Sequence, residues 1–567
     1  MRKRRHSETH SGGMNMERLF DTHIVRGHRA CEPVWTLTTL DEGGLDGPEK
    51  VIVPGVWESH PALRRYRGRG VYRQRVTLGG NIRLWLGGAG FQTRVYLDDV
   101  LIAEHYGAYT GFEALATGVA QGEHVLSVEV DNRFGESSAL HVPNDYYAYG
   151  GINRPVMLET LSDVYIVQCH YTPRRGKDGW TVDVEAVLRN ICAEAREGEL
   201  SATVAGHTAC REVRLKAGET VSFALSVCCG DARSWSPDEP VLHIASALLT
   251  LNGAPADDLI DRVGLREIRL EGRQILLNGA PLRVKGFNRH EEWGGFGLSV
   301  PVEAMMQDLQ LMRDMGANCV RTSHYPNDPR FLDLCDELGM LVWEESHARG
   351  FDEAGMRHPL FMEQLCLSTR EMVAQHYNHP CVFLWGCLNE CADDTEYGAA
   401  CYREIFGLLR EMDASRPVTA ALLERPGGTV YGDMDVVGIN IYPRWYHDTP
   451  VAQALAVKLR EIDENGGAGK PVIVSEIGAG AVYGFHDPLG MAKWSEERQC
   501  AILKEQISAV LAHPDIAGVF IWQFADVRVD ESWADKRPNT RNNKGVVDAF
   551  RRPKMAYQTV KELYGAK

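Results

Sequence analysis

Eight short apolar runs after Gly264, separated by stretches of helical periodicity, limit what this chain can fold into. The runs are 283–287, 317–322, 341–344, 382–388, 418–422, 436–441, 472–475 and 519–524. Each is too short for a buried helix and reads as a strand covered on both faces, as in a parallel sheet. Between the first two, Val302, Met305, Met306, Leu309, Met312 and Met315 recur at intervals of three and four and define one buried helix face. Pro301 and Gly316 punctuate its ends. Eight alternating strand–helix units predict a closed α/β barrel of the (β/α)8 TIM type.

Upstream the texture differs. From about Asp46 to Ser162, short β runs such as 70–78, 82–86, 93–97 and 124–130 lie between Gly, Asn and Asp turns, which predicts a jelly-roll-like β-sandwich. Runs at 164–171, 180–188, 199–204, 220–227 and 242–251 continue without helical period and match a small immunoglobulin-like sandwich. Trp235-Ser236-Pro237 reads as a corner between strands. The expected division is a disordered extension over 1–13, a sugar-binding-like sandwich over 14–162, an immunoglobulin-like sandwich over 163–265 and a barrel over 266–567.

The 61 basic and 77 acidic residues give a net charge of −16, which argues against nucleic acid or an anionic membrane as partner. An anionic substrate would need a local cation against that background. The basic N-terminus leads into no apolar segment and is not a secretory signal, and no run is long enough to span a bilayer. Fourteen cysteines without paired CxxC units fit free thiols in a reducing cytoplasm. Cys387 and Cys391 read as core thiols rather than metal ligands.

Polar residues gather where the apolar runs end: Asn288-Arg289-His290-Glu291, Ser323-His324-Tyr325, Glu345-Ser346-His347, Asn389-Glu390, Asn440-Ile441-Tyr442, Glu476, and Trp522 with Asp526. Scattered placement would put them at both ends of the strands, whereas barrel enzymes collect chemistry at the C-terminal rim. Two glutamates closing strands four and seven face each other across the mouth. Paired carboxyls roughly 5–5.5 Å apart serve retaining glycoside hydrolysis, one attacking the anomeric carbon while the other protonates the leaving oxygen. Glu390, beside an apolar strand and opposite Glu476, is expected to hold the proton. Asn389 is placed to bond a substrate hydroxyl, and Trp522 offers a flat face for a sugar ring.

The motifs GFNRHEEWG at 286, RTSHYPND at 321, WGCLNE at 385, NIYPRWY at 440, VSEIGAG at 474 and WQFAD at 522 carry a resemblance to glycoside hydrolase family 2, and within it to the β-glucuronidases. The resemblance implies Glu390 as acid/base, Glu476 as nucleophile, Tyr442 in contact with the nucleophile, and Asn440 and Trp522 lining the sugar site. His324 and Tyr446, within two of these motifs, join the expected substrate-binding set. Residues 144–152 resemble a loop reaching from the first domain into the pocket, which would bring Asp145 to a sugar hydroxyl. Asn542-Asn543-Lys544-Gly545 resembles the Asn-x-Lys element that binds a uronate carboxylate, through Asn542 and Lys544. The family pattern has an arginine four residues before that Asn. Here the position is Pro538, and Arg541 or Arg537 is the candidate to stand in. The short connection 347–367 implies an open site. The expected activity is hydrolysis of terminal β-D-glucuronides, with β-galacturonides or β-galactosides as the alternative and a non-catalytic carbohydrate-binding protein as the rival class. No metal or organic cofactor is implied. The expected partner is a carbohydrate, not nucleic acid or membrane, and a homo-oligomer remains open.

Overall fold

The computed structural model describes residues 17–425 and 427–565; the extension expected over 1–13 lies outside them. The N-terminal part is an eight-stranded antiparallel sheet in which Arg69–Leu86 and Phe112–Asp131 pair along most of their length, with a small sheet of Gly55–Val56, Gly151–Ile152 and Ala89–Gly90 beside it. Its core holds Trp35, Trp57, Tyr72, Leu84, Val128 and Ile152. The runs 70–78 and 82–86 are one strand, because a bulge near Gly80 absorbs the turn-like Gly-Gly-Asn without ending the pairing.

A second sandwich stacks three strands (Val164–Gly176, Gly179–Asn190, Thr220–Gly230) on four (His207–Leu215, Arg196–Val204, His243–Leu251, Ala254–Val263). Alternate inward residues such as Val182, Val184, Ala186 and Leu188 fill the layer between them. Trp235 at its corner is fully buried and donates its indole N–H to the Asp336 carbonyl 2.9 Å away, tying this sandwich to the barrel.

The barrel strands are β1 (Val284–Arg289), β2 (Cys319–Thr322), β3 (Leu341–Glu345), β4 (Val382–Cys387), β5 (Val418–Leu423), β6 (Val437–Asn440), β7 (Val472–Ile477) and β8 (Ile516–Ile521). All neighbours are parallel, and β1 pairs with β8 to close the ring. β8 begins three residues before the apolar run that predicted it. Gly518 stands level with Val284, whose Cβ would lie 2.3 Å from any added methyl, so glycine is required where the strands close. The helix Val302–Asp314 buries Met305, Leu309 and Met312 as the spacing predicts, and Gly316 follows it at φ +88°.

One strand–helix unit departs from the repeat. Among the described residues between Leu423 and Val437 there is no helix. Pro426-Gly427-Gly428 opposes one in sequence, and Val430, Tyr431, Met434 and Val436 fill its place in the core. The Lys470 ammonium donates to the carbonyls of Tyr431, Gly432 and Met434, satisfying a turn that no ladder covers. No helix of the described residues is long and apolar enough to cross a membrane.

The first sandwich reaches the barrel mouth through residues 144–150. Both oxygens of buried Glu58 accept from Gly150 N–H, at 3.0 and 3.1 Å, and burial pushes the Glu58 carboxyl up to about 7. At the far end Asn144 accepts from Arg349 at 2.8 Å, and the Tyr146 hydroxyl meets His347 Nε2 at 3.0 Å. A Cβ at position 150 would lie 2.2 Å from the Trp57 ring. Gly150→Ala is therefore expected to cost about 1–3 kcal/mol and to disorder the loop. Thermal unfolding together with a crystal structure of the variant would check this, and an unchanged Asp145 position would count against it.

Candidate active site

Arg321, in the middle of the otherwise apolar β2, is fully buried, and its guanidinium organises the barrel mouth. It donates to Glu345 Oε2 from Nε (2.9 Å) and Nη2 (2.7 Å), to Asn288 Oδ1 (2.8 Å), to Asn389 Oδ1 (2.7 Å) and to Glu476 Oε1 (2.9 Å). Burial opposes its charge, but Glu345 and Glu476 outweigh that cost and hold it ionised. Strands β1, β2, β3, β4 and β7 thus meet on one cation.

Glu476 is the deeper of the two rim glutamates. Its Oε2 accepts from the Tyr442 hydroxyl at 2.5 Å. Burial and the facing charge of Glu390 push its carboxyl up to about 7, against the lowering effect of Arg321 and Tyr442. The environment expected for Glu390 is thus found at Glu476. Glu390 lies nearer the opening: Oε1 accepts from Asn440 Nδ2 at 3.0 Å, and Oε2 is 3.4 Å from Arg349 Nη2. Leu388 and Glu390 have φ of 49° and 52°, so the chain turns sharply about Asn389 as it leaves β4. Such conformations cost of order 1 kcal/mol each and persist where surrounding bonds impose them.

Asn389 accepts from Arg321 and from Asn440 (3.1 Å), which leaves its buried Nδ2 without a partner among the described residues. Asn440 is held in turn by the Ser475 hydroxyl, 2.7 Å from its Oδ1. His324 places Nδ1 3.0 Å from Glu345 Oε1 and stacks on Trp522 with centroids 4.9 Å apart, so one face of that indole is already covered. Burial and Arg321 push the His324 imidazole well below its usual range, and its Nε2 has no partner among the described residues.

Across the mouth stands a cationic group. Asp145 Oδ2 accepts from Arg537 (3.0 Å) and Asn542 (3.2 Å), and Oδ1 lies 3.3 Å from Arg349. Burial opposes ionisation of Asp145, yet the charges of Arg349, Arg537 and Lys544 hold its carboxyl well below the usual range. Lys544 donates to the Tyr446 hydroxyl at 2.7 Å and sits 4.9 Å from the ring centres of both Tyr442 and Tyr446.

Of the expected residues, Glu390, Glu476, Asp145, His324, Asn389, Asn440, Tyr442, Tyr446, Trp522, Asn542 and Lys544 converge. Arg541 does not. Arg541 and Asn542 form a short strand paired with Val527–Arg528, so their side chains leave on opposite sides. Arg541 turns toward Glu292, 3.9 Å away, and Arg537 takes the place beside Asp145. Three other rim residues are engaged in ion pairs of their own: Arg289 bonds Asp308, Glu291 bonds Arg154, and Asp526 bonds Lys554.

A profile for "Glycosyl hydrolases family 2, TIM barrel domain" matches residues 268–566. A crystal structure of a GH2 β-galacturonidase from Eisenbergiella tayi bound to galacturonate is 46% identical, superposes with a TM-score of 0.96, and covers 97% of this chain and 99% of its own. A β-D-glucuronidase structure for Dictyoglomus thermophilum has a TM-score of 0.83 at 26% identity, covering 96% and 98%. The β-glucuronidase of Sus scrofa is 28% identical over 93% of this chain and 84% of its own. The resemblance within the family to β-glucuronidases is therefore corrected: likeness to the galacturonidase is far higher. The Asn-x-Lys resemblance implies only a carboxylate, which both uronic acids carry, so it does not separate the two.

Glu476 is expected to titrate near pH 7, followed by difference infrared spectroscopy of its carboxyl band. Tyr442→Phe, which removes a donor to the anion, should raise that midpoint by up to about one pH unit. A midpoint in the ordinary glutamate range would contradict the burial argument.

Proposed function

The chain belongs to glycosyl hydrolase family 2, and from that premise we propose that it is a retaining hydrolase of terminal β-D-galacturonides. Its fold and family make it a glycoside hydrolase; the substrate and the residue roles are the proposal. One observation carries it: two carboxylates joined through Asn440, Asn389 and Arg321 face a cluster of Arg349, Arg537 and Lys544 in a protein of net charge −16. A neutral sugar needs no such cluster. A uronate does, and the 46% identity to a galacturonidase supports the galacto configuration.

In the first step a Glu476 oxygen attacks the anomeric carbon while Glu390 gives its proton to the departing glycosidic oxygen. The C1–O bond to the aglycone breaks and a glycosyl ester forms. Arg321 and Tyr442 each donate to one Glu476 oxygen, favouring the carboxylate needed for attack. In the second step Glu390 takes a proton from water, whose oxygen displaces the ester at C1. Galacturonate leaves, and Glu390 is protonated again. The two carboxyls must therefore share one proton in the free enzyme, and a Glu476 value of about 7 sets where that proton is lost. Asn389 Nδ2, a buried donor without an acceptor among the described residues, is available to the hydroxyl beside the anomeric carbon. Asn542, Lys544 and Arg537 hold the substrate carboxylate, Asp145 accepts from a sugar hydroxyl, and the free face of Trp522 lies along the ring.

Hydrolysis rates on aryl β-D-galacturonide, β-D-glucuronide and β-D-galactoside should rank the galacturonide first, and a faster neutral galactoside would refute carboxylate recognition. Lys544→Ala should raise KM for the uronide by roughly 10- to 100-fold and leave any neutral glycoside little changed. As pH rises through about 7 the pair loses its last proton, so kcat/KM should fall. A profile that stays flat to pH 9 would contradict the shared-proton account.

A further inference from the structure

Behind the 538–544 loop, on the side away from Asn542 and Lys544, a cavity of about 380 Å3 lies between the first sandwich and the barrel. Four arginines line it, Arg64 and Arg65 from the sandwich and Arg528 and Arg541 from the barrel, with the glutamates Glu58, Glu292 and Glu531. The three carboxyls do not neutralise the four cations. Both Glu58 oxygens are engaged by Gly150 N–H, and burial pushes its carboxyl up to about 7. Burial also raises the Glu292 carboxyl, whose Oε1 accepts from Arg528 N–H at 2.8 Å. Glu531 is shared between Arg65 (3.4 Å) and Arg528 (3.3 Å). Arg64 forms no ion pair among the described residues. The buried Nη1 of Arg541 has no hydrogen-bond partner there, its nearest carboxylate oxygen being 3.9 Å away. A guanidinium presents a fork of donors that fits carboxylate and sulfate geometry, and an unfilled buried donor costs free energy until an acceptor arrives.

We infer that this cavity is a second oxyanion-binding site, distinct from the Glu390–Glu476 pocket, whose ligand carries a carboxylate or sulfate held by Arg541, Arg64 and Arg65. Two sources supply that chemistry: an acidic sugar, such as the uronate released next door, or inorganic sulfate. The sugar source rests on the proposed substrate; the oxyanion chemistry does not. Excess positive charge in a protein of net charge −16 would concentrate anions there.

Isothermal titration of the full-length enzyme with D-galacturonate, sodium sulfate and, as a neutral control, D-galactose tests this. Lys544→Ala weakens the catalytic pocket by roughly 10- to 100-fold and should leave one tighter binding site for galacturonate, for sulfate, or for both. In that background Arg64→Ser with Arg65→Ser, both exposed positions, should weaken the remaining site at least about tenfold without lowering the unfolding temperature, and Arg541→Ala should do the same. Galactose should not bind there. Binding of galacturonate alone would assign the acidic-sugar source, and binding of sulfate alone the inorganic one. Absence of any Lys544-independent binding, or binding indifferent to the arginine substitutions, would overturn the inference. Galacturonate binding that is identical in the unsubstituted enzyme and in Lys544→Ala, with the second site intact, would instead tell against the proposed uronate substrate.

Discussion

A single buried guanidinium holds this barrel mouth together. Arg321 meets two carboxylates and two amides contributed by four other strands, and one oxygen of each accepts from it. A lone charge in a parallel strand is costly, because the cation must leave water. Here the cost is offset by five charge-assisted or amide bonds, which also fix where Asn389, Glu476 and Glu345 point. Positioning and stability are therefore one device. Removing the cation would leave two buried carboxyls unpaired, so no neutral residue substitutes for it conservatively.

The rest of the pocket solves an electrostatic problem set by composition. A protein of net charge −16 repels anions, yet the proposed substrate is one. Three cations cluster about Asp145, whose carboxyl they hold well below the usual range. The cluster is thus partly neutralised before substrate arrives, which limits the self-repulsion of three buried cations. Two of them, Arg537 and Lys544, come from the chain after β8, whereas Asp145 comes from the first sandwich. The pocket exists only when sandwich and barrel are docked, which gives the Glu58–Gly150 contact its importance.

What the sequence reveals follows from how local each feature is. Strand-ending acids are local: a polar pair closing an apolar run marks the rim, so Glu390 and Glu476 are visible without coordinates. The start of β8 is hidden, since Gly518 breaks the apolar pattern for a packing reason that lies in Val284. The missing helix after β5 is foreshadowed by Pro-Gly-Gly, but a repeat count overrides that hint. Arg321 had a local signal, a charge inside an apolar strand, although its partners lie on four other strands and no spacing rule connects them. Arg349 had no such signal; it sits in the loop after β3 and gains meaning only through Asn144, Asp145 and Glu390. The choice between Arg537 and Arg541 turns on two left-handed residues, Asn539 and Thr540, with φ of 56° and 55°. They redirect the chain so that counting from Asn542 no longer says which arginine faces inward.

The central claim is that Glu476, held by Arg321 and Tyr442, forms the bond to the sugar. Incubation with a 2-deoxy-2-fluoro-β-galacturonosyl fluoride, followed by proteolysis and mass spectrometry, tests it most directly. The account predicts one fluoroglycosyl adduct per chain, on the peptide that contains Glu476. An adduct on the peptide that contains Glu390, or a label elsewhere in the barrel, would contradict it.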